Sequence, residues 1–207
     1  MTNTQVSAII PLAVLQAVRT LDQQGPERMV QYHDEVAPKR LGMNPTVTAQ
    51  IERYRQLAQR NGVVDADEVV QLFRLVGRRG DANLAFSQGG RLAAQHALQQ
   101  TPAPLKIASK MAPGPVKRRM GLRSATRLAA SVFGSTVTVD EQDGVVAVAQ
   151  PATTEATPDG ASCSFYGSAL AEILRSTTNF DGALLHETCM TRGGDCCRWH
   201  TGNNQGW

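Results

Sequence analysis

All four cysteines of this 207-residue chain fall in its last forty-five positions, at Cys163, Cys189, Cys196 and Cys197, and His186 and His200 fall there with them. No other feature constrains the fold as much. A zinc ion takes about four sulfur or nitrogen donors at the corners of a tetrahedron, so a metal here would dictate how separate segments meet. Cys189 and Cys197 flank Gly193-Gly194, a turn that lets two strands carry both thiolates to one point. Cys163 precedes an expected helix and reaches the same point when the chain returns. Cys196 and Cys197 are adjacent and would point to opposite faces of a strand, so only one of them is expected to be a ligand. The fourth donor is His186 or Glu187. On an ideal strand Glu187 shares a face with Cys189 and His186 does not; a bulge or turn near Thr188 reverses that. The competing interpretation is a set of reduced, buried cysteines acting as small hydrophobes, and the absence of a regular CxxC pair leaves that alternative open.

The rest of the chain narrows the class. At 207 residues it can bury one good core, with 42% hydrophobic and 19% charged residues, ordinary for a globular protein. A net charge of +3 is too small to argue for nucleic acid. Four bunched cysteines do not make a secreted disulfide framework, which points to a reducing cytoplasm. The apolar run from Val6 to Val18 has no basic region before it and is interrupted by Pro11 and Gln16, unlike a signal peptide or a membrane span.

Along the chain, helical periodicity comes first. Ser7 is placed to cap a helix that has Pro11 in its first turns and runs to about Gln24, where Gly25-Pro26 ends it. A second helix is expected from Pro26 to Val36 and a third from Pro45, stopped by Asn61-Gly62. Asp65 and Glu68 resemble a capping box for a fourth helix through Val76. Asp81 is placed to cap a fifth through Gln99, with Gly89-Gly90 at its middle as a close helix crossing. His96 lies on that helix, on the side of Leu92 and Gln99, and is a candidate ligand contact. The period then changes. Thr136–Val139 and Val145–Val148 read as strands joined by the turn Glu141-Gln142-Asp143-Gly144. Pro151 to Gly160 reads as a loop, Ser164 to Ser176 as a helix, and Ala183–Met190 and Cys197–Thr201 as closing strands. Helices followed by strands with one inserted helix make an α+β fold: a helical N-terminal part (residues 1–80) on a unit (81–207) with a small antiparallel sheet, the two forming one compact body. There is no GxGxxG after a strand and no P-loop.

Between Pro102 and Gly134 lies a basic stretch: Lys106, Lys110, Lys117, Arg118, Arg119, Arg123 and Arg127, with no acidic residue from Pro104 to Phe133. Met111 and Met120 sit among these cations, and Pro113 and Pro115 break the helix. Flexible thioethers beside guanidinium groups suit a flat apolar molecule bearing carboxylates; the same stretch also suits an anionic membrane surface, a phosphate backbone or a plain solvated helix face.

From Cys163 to Trp199 the chain resembles the 4-vinyl reductase domain, a small ligand-binding module. That family's pattern is a cysteine, about two dozen residues containing a helix, an acidic residue three before a second cysteine, a Gly-rich turn, and a third cysteine eight after the second. Cys163, Cys189, Gly193, Gly194 and Cys197 match those places, with His186 in the acidic position and Glu187 one residue late. Asn179-Phe180-Asp181-Gly182 and His186-Glu187-Thr188-Cys189 are most similar to the branch serving bacteriochlorophyll synthesis in purple phototrophs. The resemblance implies a structural zinc on Cys163, His186, Cys189 and Cys197. It also implies a porphyrin or chlorophyll-precursor ligand, and for such a ligand the residues read above offer His96, Met111, Arg118, Arg119, Met120 and Arg123 as expected contacts. The expected function is a tetrapyrrole carrier in the cytoplasm, working with enzymes of that pathway and leaving room for peripheral membrane contact and a homodimer. The alternatives are an 8-vinyl reductase, for which no redox-cofactor motif is apparent, and a small-molecule sensor, which the lack of a DNA-binding or ATPase segment after Trp207 disfavours.

Overall fold

In the computed structural model, residues 4–24, 44–100, 114–140, 144–178 and 180–201 are described. The expected helix from Pro26 to Val36, Met111, the first two lysines of the basic stretch and the turn residues 141–143 lie outside them.

The chain opens with β1 (Gln5–Ser7) and α1 (Ile9–Gln24). Ser7 Oγ accepts the Ile9 N–H at 3.3 Å, as a cap should. Most of α1 is buried, with Ala13, Val14, Ala17 and Val18 sealed from solvent. In α2 (Pro45–Gln59), Asn44 Oδ1 accepts the Thr46 N–H at 2.9 Å and Pro45 occupies the first turn. The expected stop is where the sequence places it: Asn61 turns left-handed at φ 52°. The short β2 (Val63–Asp65) then pairs antiparallel with β1, a contact that three residues on each side give no periodicity to reveal.

Next come α3 (Ala66–Gly77) and α4 (Ala82–Gln99). Asp65 caps α3 through the Asp67 N–H, but Glu68 does not close the expected capping box; it pairs with Arg53 and Tyr54 of α2. Asp81 likewise makes no side-chain cap for α4, because its carboxylate is taken by Arg79, which also grips Asp22 of α1. In both cases a charged fork outcompetes a backbone N–H for the carboxylate.

The helix α4 is central. At Gly89 a β-carbon would stand 3.2 Å from Val14 Cα of α1. At Gly90 it would stand 2.1 Å from the Phe165 carbonyl oxygen of α6 (Cys163–Thr177). The glycine pair thus marks a close helix crossing on both sides. The basic stretch continues as α5 (Gly114–Phe133), which crosses the end of α6 at Gly121, where a β-carbon would meet the Thr177 carbonyl at 2.0 Å.

β3 (Ser135–Asp140), β4 (Gly144–Ala149), β5 (Leu184–Thr188) and β6 (Cys197–Thr201) form one antiparallel sheet in the order β3-β4-β6-β5. The stretch expected as a loop from Pro151 is instead a buried 3-10 turn, Ala152–Ala156. Its Thr153 and Thr154 are sealed, and Ser162 donates to the Thr154 carbonyl at 2.7 Å. Burial there is satisfied by hydroxyls rather than by an apolar period. The core is continuous. Phe73 of α3 packs on Phe86 of α4 at 5.0 Å and on Phe165 of α6 at 5.5 Å, and Phe165 packs on Phe133 of α5 at 6.1 Å. The protein is therefore mixed helix and sheet, with two small antiparallel sheets among the described residues.

A candidate metal centre

Three segments bring their donors to one point. Cys163 opens α6, where Ser162 is fixed from below: its N–H donates to Thr157 Oγ1 at 2.9 Å and its hydroxyl to the Thr154 carbonyl. Cys189 ends the β5 segment and leads into a 3-10 turn, Met190–Arg192, closed by Gly193 at φ 87°. Cys197 begins β6. Between Cys189 and Cys197 the chain forms a knuckle, with the Cys189 carbonyl accepting the Arg192 and Gly194 N–H groups at 3.0 Å. A β-carbon at Gly194 would lie 3.1 Å from that carbonyl, which accounts for the small residue there.

The donor atoms of Cys163, His186, Cys189 and Cys197 all lie within 4.8 Å of one another. Cys163 Sγ is 3.6 Å from Cys189 Sγ and 3.2 Å from Cys197 Sγ. Zinc–sulfur bonds of about 2.3 Å in a tetrahedron put sulfurs about 3.8 Å apart, so slight spreading admits an ion. The thiols are buried, Cys163 at 2%, Cys189 at 5% and Cys197 at 0% exposure, while His186 closes the site from the solvent side. Gly160, at φ 75°, floors the site: a β-carbon there would sit 3.2 Å from Cys189 Sγ and 3.8 Å from Cys163 Sγ. The donor set and its cradle fit a metal ion.

The choice between His186 and Glu187 is made by a bulge. β5 pairs with β6 as His186↔Trp199 and Thr188↔Arg198, with a register shift between His186 and Thr188. Glu187 is the extra residue, so His186 turns to the thiols and Glu187 faces away, its carboxylate 3.8 Å from His200 Nδ1. Cys196 is half-buried and outside the cluster. His186 also stacks on Trp199, ring centroids 4.8 Å apart and 13° from parallel.

The electrostatics follow from crowding thiols away from water. Cys197 is pushed down, first by the hydrogen bond from the Cys163 thiol, with further help from His186 and the Met190 N–H. Cys163 is pushed up, chiefly because it is the thiol that keeps its proton beside Cys197, with burial second. Cys163 and Cys197 thus share one proton, held on Cys163. A dication is what would let all three ionise.

The other expected contacts are scattered. His96 lies in a cleft of about 410 Å³ between α1, α2 and α4, its Nε2 3.0 Å from Gln16 Oε1. Arg118, Arg119 and Arg123 are exposed on α5 and Met120 is half-buried; none of them lines the His96 cleft. A different groove, about 460 Å³, runs beside α5 past Arg127, Leu128 and Val132. The roomiest of these clefts, about 520 Å³, lies between α4, α6 and the β5–β6 hairpin and includes Arg91, Arg175 and Trp199. Sequence reasoning passes over it because its walls come from four elements with no shared motif. The one available signal is a pair of cations, Arg91 and Arg175, on helices that cross at a glycine.

No family model, no curated protein and no solved structure matches this chain. Among the described residues, no helix is long and apolar enough to cross a membrane.

Proposed function

We propose that this chain is a small-molecule carrier of the 4-vinyl reductase type, stabilised by a structural zinc on Cys163, His186, Cys189 and Cys197. The observation that carries the reading is the convergence of these four donors from α6, β5 and β6. Three thiolates and an imidazole saturate a tetrahedral zinc and leave no position for substrate, which is the pattern of a structural rather than a catalytic ion. The ligand class comes from the family resemblance: a tetrapyrrole of chlorophyll synthesis, handed between enzymes of the pathway in the cytoplasm or at the membrane surface. The exposed arginines of α5 support an anionic partner on that face, a propionate edge or an anionic lipid surface.

The test is the full chain purified from a pigment-making host, with absorption spectrum and metal content measured on one sample. One zinc per chain together with a bound porphyrin spectrum is expected; freshly purified protein without zinc overturns the metal assignment, and zinc without pigment overturns the ligand class. The second reading is vinyl reduction. Incubated with divinyl protochlorophyllide and NADPH, with and without flavin, the pure protein is expected to give no monovinyl product. Many turnovers per chain would replace the carrier by an enzyme.

A further inference from the structure

The cleft between α4, α6 and the β5–β6 hairpin carries more than its volume of about 520 Å³. Its inner wall contains Trp199, 3% exposed and held by its stack on His186. An indole N–H is a donor with no acceptor capacity, and a buried one normally finds a partner. Here, among the described residues, no hydrogen bond engages the Trp199 side chain, and its Nε1 keeps access to the cleft, since His200 Nδ1 is the one sealed side-chain polar atom left without a partner. The atom nearest the empty β-position of Gly167, another cleft residue, is this Nε1, at 2.7 Å. Any side chain at residue 167 would cover the donor; glycine leaves it open.

The two cations nearby differ in what already engages them. The guanidinium of Arg91 makes no ion pair or hydrogen bond among the described residues. Arg175 donates to the Gly182 carbonyl at 3.2 Å and lies 4.0 Å from Glu172, the one acidic residue of the cleft. Glu172 in turn accepts from Gln95 at 3.4 Å. Ala171, Ala183 and Leu184 give the cleft an apolar side. Excess donors together with small apolar wall residues describe a molecule with an anionic head and a flat apolar body.

We propose that this cleft binds a small organic carboxylate, its oxygens taken by the Trp199 indole N–H and the Arg91 and Arg175 guanidiniums, its body on Ala171, Ala183 and Leu184. Arginine forks match the planar carboxylate, and the indole N–H at the cleft wall adds a directed donor that fixes its orientation. The site shares none of the α5 residues and does not depend on the ligand being a tetrapyrrole.

The experiment follows the indole proton of Trp199 by NMR in the isotope-labelled, metal-replete full chain, assigned against Trp207→Phe. The probes are naphthoate, the neutral naphthalene methanol, and inorganic phosphate. Naphthoate is expected to move the Trp199 signal saturably, the neutral alcohol to leave it in place, and Arg91→Gln and Arg175→Gln each to weaken naphthoate by about tenfold. The amide spectrum of each variant shows whether it is folded; should either Gln variant misfold, raising the salt concentration on the wild type must weaken naphthoate instead. The inference is overturned if naphthoate leaves the Trp199 signal unmoved, if the alcohol binds equally well, or if both folded variants bind like wild type. A shift with phosphate alone marks an inorganic-anion site and overturns it too.

Discussion

Glu68 shows how a single residue escapes a sequence pattern. Its spacing from Asp65 predicts a capping box, yet its carboxylate reaches Arg53 and Tyr54 on α2, a partner no local pattern contains. The Arg53 hydrogen bond holds Glu68 below the ordinary carboxylate range. His96 is also held below its ordinary value, first by burial and then by Arg55. Both shifts act in the same direction with pH. A depressed carboxylate contributes stability above its unfolded pKa and loses it as pH falls through the folded value. A depressed histidine is neutral in the fold, so its contribution is lost as pH falls below about 6.5, where the unfolded chain takes up the proton first. Thermal melts from pH 7.5 down to 5.5 should therefore show a falling midpoint, and His96→Gln should flatten that fall; identical slopes in the two proteins would remove His96 from the account. The Glu68 share comes at lower pH and is small, because the pair is solvent-exposed and screened.

Elements were legible where one periodicity governed them. The helices at Pro45, Ala66 and Ala82, the β3–β4 hairpin and the glycine crossing all stand where the pattern puts them. The 3-10 turn at Ala152–Ala156 was not legible, because threonines buried by hydroxyl bonds carry no apolar period. The crossing gives a sharp expectation. Gly90→Ala gains about 1 kcal/mol of helix propensity but places a methyl 2.1 Å from a backbone carbonyl that cannot rotate away. The net loss should be about 3 kcal/mol, at the upper end for overpacked sites. Gly80→Ala, with nothing within 4 Å of the new β-carbon, should stay within about 0.5 kcal/mol. Chemical denaturation of both variants checks the contrast, and a Gly90→Ala protein as stable as wild type would mean that α4 and α6 are farther apart than described.

For the molecule as a whole, a metal ion on the Cys163, His186, Cys189 and Cys197 cluster would tie α6 to the last hairpin, so its loss should be felt globally. Cys197→Ser is expected to lose zinc and to unfold at markedly lower temperature, because structural zinc sites contribute on the order of the entire stability of a small domain. Cys196→Ser should keep both zinc and melting temperature. Metal analysis with calorimetry decides; equal loss in the two variants would break the assignment of Cys197. At this scale the cysteine spacing named the three cysteines that cluster, but not which of His186 and Glu187 joins them. That choice depends on a register shift against β6, and register is fixed by pairing across the sheet rather than by anything local to the residues around Thr188. The α5 arginines are the opposite case: charge clustering is plain in the sequence, while Met111, the expected apolar wall beside them, lies outside the described residues.

Trp199 touches both sites, His186 on its face and Gly167 at its edge. Two equilibria that share one side chain are thermodynamically linked, and linkage is reciprocal. If the ion orders the indole for a carboxylate, the carboxylate must strengthen retention of the ion by the same factor. Zinc should therefore bind more tightly in competition with a chromogenic chelator when naphthoate is present than when it is absent, and Trp199→Leu should abolish the difference. The stack would then make the protein's hold on its metal a measure of whether it is loaded.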